Sequence, residues 1–252
     1  MKESLTIKRV NRDGTIKTTE DEVAVDTPFC IFVDDLPFRT LIASPGKLRE
    51  LAMGHLFTEG IIKSLDDIEK ESVRRDRADI WLKEPVDLTE ARYQRDRVLT
   101  TACNTENILD NSVFEDYRVQ EISSPENETV FDLVHRLNRE TSVYRATGGT
   151  HSAILQSQDG LFSDFAEDVG RHNAVDKVLG AGLIGEVSFQ ECMLATSGRL
   201  SGEIVLKAAR AGVPIVCSVS APLLSGVRVA EQTGIRLYGF VRGNRLNDYS
   251  RG

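Results

Sequence analysis

The sequence predicts an α/β fold in two parts, and three observations carry that expectation. From Ala146 onward, short apolar runs alternate with turn signals and helically spaced apolar residues. Such repeated β–loop–α–β units imply a largely parallel sheet covered by helices. The residues before about 120 instead carry several strand-like runs and one helix. Between them lies Ser123-Ser124-Pro125-Glu126-Asn127, a turn-rich joint that puts the domains at 1–124 and 125–252. The chain has 252 residues, 40% of them apolar, enough for one large or two modest cores.

In the first part, strands are expected at Leu5 to Arg9, before a turn at Asn11-Arg12-Asp13-Gly14, and at Glu22 to Val25. A hairpin follows, with Phe29 to Val33 and Pro37 to Ile42 flanking Asp34-Asp35. Ser44-Pro45 has the form of a helix N-cap with proline in the first turn. Behind it Leu48, Leu51, Ala52, His55 and Leu56 share one helical side, and the helix stops before Gly60. His55 on this apolar stripe reads as a satisfied core histidine. Further strands are expected at Ile68 to Val73, Asp79 to Leu82 and Arg97 to Thr101.

In the second part, Val130, Phe131, Val134 and Leu137 form the core side of a helix, with His135 off that side. Strands are expected at Ala153 to Gln156 and, after a hairpin turn at Asp159-Gly160, at Leu161 to Phe165. A helix carries Ala174, Val175, Val178 and Leu179. Then follow strand Cys192 to Ala195, helix Ile204 to Ala211 ending at Gly212, strand Ile215 to Val219, helix Leu224 to Gln232 before Gly234, and strand Arg236 to Val241.

Formal net charge is −8, with 18 Lys/Arg against 25 Asp/Glu in residues 1–124 and 13 against 14 in the rest. An acidic chain is a poor general nucleic-acid binder. Of the cations in the second part only Lys177 and Lys207 are lysines, and arginine's planar fork suits bidentate phosphate contacts. No apolar run approaches the roughly 20 residues of a membrane span. Met1-Lys2-Glu3-Ser4-Leu5-Thr6 lacks the basic and apolar regions of a signal peptide, so a soluble cytoplasmic protein is expected.

The chain is organised around Asp164 to Lys177, where an apolar strand runs through Glu167, Asp168 and Gly170 into Arg171, His172 and a helix. In an open α/β sheet such junctions gather ligands, because loops converge there and helix N-termini expose N–H groups. Read alone, the same residues could be a helix start with acids near its positive end. Four loops are expected to converge: Gly148 to Ser152, Glu167 to Asn173, Thr196 to Gly202, and Phe240 to Arg245. They bring glycine turns, hydroxyls and Arg171, Arg199, Arg242 and Arg245, the groups that phosphate oxygens need. None matches the Walker or dinucleotide fingerprints. His151 and His172 have no cysteine at ligand spacing, and the H-x-E plus P-C-x-x-C of zinc deaminases is missing, so no metal site is expected.

Cys30, Cys192 and Cys217 lie among apolar residues and read as core. Cys103 lies in the polar, aperiodic Thr100-Thr101-Ala102-Cys103-Asn104-Thr105-Glu106-Asn107. It reads either as an unreactive surface thiol or as a nucleophile activated from elsewhere in the fold.

Together these residues resemble the formate dehydrogenase accessory sulfurtransferases, or FdhD proteins. The resemblance runs from Thr40 to Arg245 and rests on Leu51-Ala52-Met53-Gly54-His55-Leu56-Phe57-Thr58-Glu59-Gly60-Ile61-Ile62, Gly148-Gly149-Thr150-His151-Ser152, Glu167 to Lys177, Ser197 to Gly212, and Val219-Ser220-Ala221-Pro222. It implies a small N-terminal α+β domain followed by a cytidine-deaminase-like three-layer α/β domain without zinc. It implies a homodimeric sulfur carrier that takes persulfide sulfur from a cysteine desulfurase. The sulfur would pass to the molybdenum of bis-molybdopterin guanine dinucleotide before that cofactor enters formate dehydrogenase. The persulfide cysteine falls on Cys103. The cofactor-binding run falls on Phe240, Val241, Arg242, Gly243, Asn244 and Arg245, with Arg199, Arg171 and His172 added from the convergent loops. The family commonly carries C-x-x-C at the cysteine loop, and here its second position is Glu106. The competing expectation is a chaperone that delivers the cofactor without moving sulfur.

Overall fold

The computed structural model describes residues 1–88, 111–120 and 125–250. The expected strand Arg97 to Thr101, the cysteine loop with Cys103, and the 124/125 boundary all lie at or within segments outside the described residues.

The chain opens with an antiparallel hairpin, β1 (Lys2–Val10) and β2 (Ile16–Ala24), that forms a sheet of its own. β2 begins earlier than expected because its residues are polar on both faces, so no burial alternation marks its start. β3 (Thr27–Val33), β4 (Leu36–Ala43), β5 (Ile68–Val73) and β6 (Arg77–Leu82) then build a four-stranded sheet in the order β4-β3-β6-β5. Phe29, Ile31 and Val33 alternate inward from β3, as do Ala78, Ile80 and Leu82 from β6. Cys30, expected in the core, sits half-buried on the opposite face of β3, its Sγ 3.4 Å from Thr40 Oγ1. The strand's period of two assigns it there.

Helix α1 (Leu48–Glu59) covers the inward face of this sheet through Leu51, Ala52, Met53 and Leu56. Ser44 does not cap it. Gly46 and Lys47 adopt left-handed backbone (φ 109° and 51°), so a turn intervenes and the helix starts at Leu48.

Helices α2 (Asn127–Glu140) and α3 (Ser142–Thr147) lead into a six-stranded sheet. Its strands are β7 (His151–Ser157), β8 (Ser163–Asp168), β9 (Cys192–Thr196), β10 (Ile215–Ser218), β11 (Arg236–Arg242) and β12 (Arg245–Asp248), in the order β12-β11-β10-β9-β7-β8. The expected largely parallel sheet is mixed. Only β9–β10 and β10–β11 are parallel, joined over α5 (Gly202–Ala211) and α6 (Leu224–Thr233). β7–β8 and β11–β12 are hairpins, and β9 runs antiparallel to β7. β9 and β10 are buried at every position, as strands covered on both faces must be.

One face of this sheet packs on α2 through Ile154, Met193, Ile215 and Tyr238. The other packs on α4 (Arg171–Ile184), α5 and α6. α4 is buried almost all round because α1 lies against its far side. The two helices approach through glycines. A Cβ on Gly54 would overlap the Asp176 carbonyl, and one on Gly180 the Glu50 carbonyl. The order of layers is therefore helix, sheet, helices, helix, sheet. Among the described residues no helix is long and apolar enough to cross a membrane.

Candidate functional site

The strand pairings bring the four expected loops to one end of the six-stranded sheet. His151, at the start of β7, is opposite Asp168 at the end of β8, and Ala153 pairs with Thr196 at the end of β9. β10 and β11 run parallel to β9, so Ser218 and Arg242 end at the same edge. Backbone and hydroxyl bonds stitch the loops together. Ser197 N donates to Ser152 O (2.9 Å) and Ser152 N to Ser197 Oγ (2.9 Å). Ser218 Oγ donates to Gly198 O (2.7 Å), Ser220 N to Ser218 Oγ (2.9 Å), and Phe240 N to Ser220 O (3.0 Å).

Arg171 and His172 form the first turn of α4. The aliphatic part of Arg171 lies over Gly198, whose missing Cβ would sit 3.0 Å from Arg171 Cβ. His151 Nδ1 is 3.4 Å from Ser197 Oγ. Burial, then the charges of Arg171 and His172, hold the His151 pKa below its ordinary value, so this imidazole is neutral near pH 7. Arg199 is exposed on the adjoining loop.

Phe240 to Arg245 occupy the same edge, two strands further along, a separation of about 10 Å at the spacing of paired strands. Phe240 has φ 52°, a left-handed conformation rare for a bulky residue, and Arg242 Cζ lies 5.3 Å from its ring. Val241 points into the core, whereas Arg242, Gly243, Asn244 and Arg245 are exposed. Arg242 and Arg245 are register partners across the turn. The structure thus gathers Arg171, His172 and Arg199 in one group and sets Phe240 and Arg242–Arg245 beside it.

The acidic pair of the organising stretch is structural. Glu167 accepts from Val143 N (3.0 Å), Tyr144 N (2.8 Å) and Thr150 Oγ1 (3.0 Å), so it holds the start of α3. Asp168 is fully buried. It accepts from Ser44 N (3.0 Å), Gly170 N (2.8 Å) and Asn173 Nδ2 (2.9 Å), and pairs with Lys177 Nζ at 2.6 Å. Lys177 also donates to Ser44 O (2.9 Å). Burial draws the Lys177 pKa down, and Asp168 partly offsets that. Ser44 is therefore a tie between the two sheets, which is why it serves no helix.

A second polar cluster escaped the sequence reading. Between α1, α4 and α5, Asp176 is buried against His55 Nδ1 (2.9 Å), Thr58 Oγ1 (2.8 Å) and Lys207 Nζ (2.9 Å). Lys207 reaches Glu59 at 3.4 Å. Burial alone would raise the Asp176 pKa, but Lys207 and His55 outweigh it and hold the carboxyl at about 2. The one available signal was that Lys177 and Lys207 each interrupt apolar helical runs, where an unpaired lysine is almost never found.

Among the cysteines, Cys192 and Cys217 are fully buried, and burial pushes their thiols up to about 11 and about 12. Such thiols carry little thiolate near pH 7.

A family model described as the FdhD/NarQ family matches residues 24–252. The chain is 36% identical over 244 residues to a sulfur carrier protein FdhD of Sulfolobus acidocaldarius, covering 95% of this chain and 93% of the relative. It is 37% identical over 255 residues to a protein of the same name from Anaeromyxobacter sp. (strain K), covering 93% and 88%. A crystal structure of a candidate formate dehydrogenase accessory protein from Desulfotalea psychrophila superposes with a TM-score of 0.79 at 26% identity, over 99% of this chain and 97% of that one.

Proposed function

This chain belongs to the FdhD/NarQ family, and from that premise we propose that it is a cytoplasmic, homodimeric sulfur carrier serving formate dehydrogenase. In this reading the Cys103 thiolate attacks the sulfane sulfur of a cysteine desulfurase persulfide. The donor's S–S bond breaks, the desulfurase leaves as thiolate, and Cys103 becomes Cys–S–SH. The terminal sulfur would then pass to the molybdenum of bis-molybdopterin guanine dinucleotide, the substrate here. The S–S bond of Cys–S–SH breaks, Cys103 leaves as thiolate, and the two electrons that bring the sulfane sulfur to the sulfide level come from the reduced molybdenum centre of that substrate. The observation that carries the reading is the near full-length similarity to sulfur carrier proteins. Two of the other three thiols support it, since burial keeps Cys192 and Cys217 protonated.

The end of the six-stranded sheet suits the guanine dinucleotide. Arg171, Arg199, Arg242 and Arg245 supply guanidinium forks, and Phe240 supplies an aromatic face held in a strained backbone. The test is to load the protein with labelled sulfur from a desulfurase and then present the cofactor. Label on Cys103 that moves to the cofactor is expected, and Cys103→Ala should block both steps. Cofactor sulfuration persisting in Cys103→Ala would overturn the carrier role. Cofactor binding without any labelled protein would favour a delivery chaperone.

A further inference from the structure

The β1–β2 hairpin is a sheet of two strands without a third. Such a ribbon is only marginally stable on its own in water. Every residue of β1 except Ile7 is exposed, and Leu5 (44%), Val10 (65%) and, on β2, Ile16 (65%) present apolar side chains to solvent. The base of β2 rests on the turn after α3, where a Cβ on Gly149 would meet Ala24 Cβ at 2.9 Å. β1 forms the other edge. Among the described residues, no backbone hydrogen bond joins it to any strand but β2. A long open edge of this kind is a template for a further strand.

The phase of the bonding decides how that strand must lie. Asn11 N donates to Thr15 O (2.9 Å) and Val25 N to Met1 O (2.9 Å), so the odd-numbered residues of this strand bond across to β2. The even ones, Lys2, Ser4, Thr6, Lys8 and Val10, turn N–H and C=O to the open edge. An antiparallel second copy of β1 must therefore set even residues against even. With Thr6 opposite Thr6, all nine residues overlap, Glu3 falls opposite Arg9, and Leu5 falls opposite Ile7. Moving the two-fold axis to Leu5 would set Lys2 against Lys8, and moving it to Ile7 would set Leu5 against Arg9. Only the Thr6 register pairs charge with opposite charge and apolar with apolar. Within its own hairpin Arg9 is opposite a like charge, Lys17, with Asp21 at 3.4 Å. Glu3 has no cation partner among the described residues. A second copy answers both.

We propose that the β1 edge is the interface between two copies of this chain, paired antiparallel about a two-fold axis at Thr6 into one four-stranded sheet. On one face of that sheet Leu5 and Ile7 of both copies form an apolar centre, closed at each end by a Glu3–Arg9 pair. The contact is isologous, so it completes a dimer and leaves no β1 edge open to a third copy. The inference rests on the homodimeric reading above, gives it a surface, and is independent of Cys103.

Sedimentation equilibrium of the full chain at micromolar concentrations tests the assignment. Wild type is expected to be dimeric. Glu3→Arg and Arg9→Glu each set like charges opposite one another at both ends of the interface, so each should weaken self-association about tenfold or more. An equimolar mixture of the two variants should recover the dimer, because every position 3 then meets an opposite charge at position 9. Thr6→Pro removes an N–H that β2 does not use, and proline is tolerated at such edge positions, so this variant should be folded and monomeric. A dimer that survives Thr6→Pro and both charge reversals overturns this interface but leaves the homodimeric reading standing. A monomeric wild type overturns both. Should Thr6→Pro fail to fold, the mixture decides: recovery supports the interface, and loss of the dimer in both charge variants without recovery on mixing overturns it.

Discussion

Gly54 and Gly180 face one another where α1 crosses α4, and each leaves the room that the other helix's backbone occupies. Elsewhere in a helix, replacing glycine by alanine stabilises by up to about 1 kcal/mol through propensity. Here the added methyl meets a carbonyl of the neighbouring helix, and a backbone cannot rotate aside. Gly180→Ala should therefore destabilise by roughly 3 kcal/mol or more, the upper range for overpacking. Chemical denaturation checks it, and a neutral or stabilised variant would show that the helices sit further apart.

Asp176 links stability to acid. Its folded pKa of about 2 lies below the ordinary value of 3.8. A depressed carboxyl contributes stability above its unfolded pKa and loses it as pH falls through the folded one. The contribution should be complete above about pH 4 and fade towards pH 2, with a size on the order of 2 kcal/mol. Asp176→Asn should thus be less stable than wild type at pH 6, with the gap narrowing as pH drops. A gap of constant size from pH 6 to pH 2.5 would mean that the carboxylate is not held this way.

How much of this was legible in the sequence depends on distance along the chain. The period of two in β3 and β6, the helical stripe of α1 and its stop at Gly60 are local signals, and they appear in the structure where the sequence puts them. The convergence of the four loops was also legible, because strand–turn–helix order determines which ends meet. Strand direction was less so, since a hairpin and a crossover share the same apolar pattern until pairing is known. β2 hid in a polar sequence that buries little. Most opaque were Ser44, His55, Asp176 and Lys207. Ser44 reads as a cap and His55 as core until their partners arrive 124 and 121 residues later. Such contacts leave no period behind, only a lysine where an apolar residue would be expected.

The buried thiols predict an order of reactivity. Cys192 and Cys217, raised to about 11 and about 12 by burial, should alkylate only as the fold opens. Mass mapping after iodoacetamide at pH 7.5 should place the first label on Cys103, with Cys192 and Cys217 last. Their protection should vanish in denaturant. Labelling of Cys192 before Cys103 in the folded protein would contradict both the burial and the carrier assignment.

Arg242 and Arg245 oppose each other across a two-residue turn, both exposed, with like charges that repel in the free protein. An anion between them would relieve that repulsion as well as gain charge-assisted hydrogen bonds. GDP is therefore expected to bind at this turn, with an affinity that falls as salt screens the guanidinium charges. Removing either arginine should weaken GDP by about 1.5–3 kcal/mol, the range for a hydrogen bond to a charged group. The same change should leave folding stability intact, because neither side chain is buried. Arg139→Ala, an exposed change on α2 across the sheet, is the control and should alter neither property. Calorimetry at two salt concentrations separates the cases. Unchanged GDP affinity in both Arg242→Ala and Arg245→Ala would take the site away from this turn. It would then belong with Arg171 and Arg199, where Gly198 already lies beneath the guanidinium-bearing side chain.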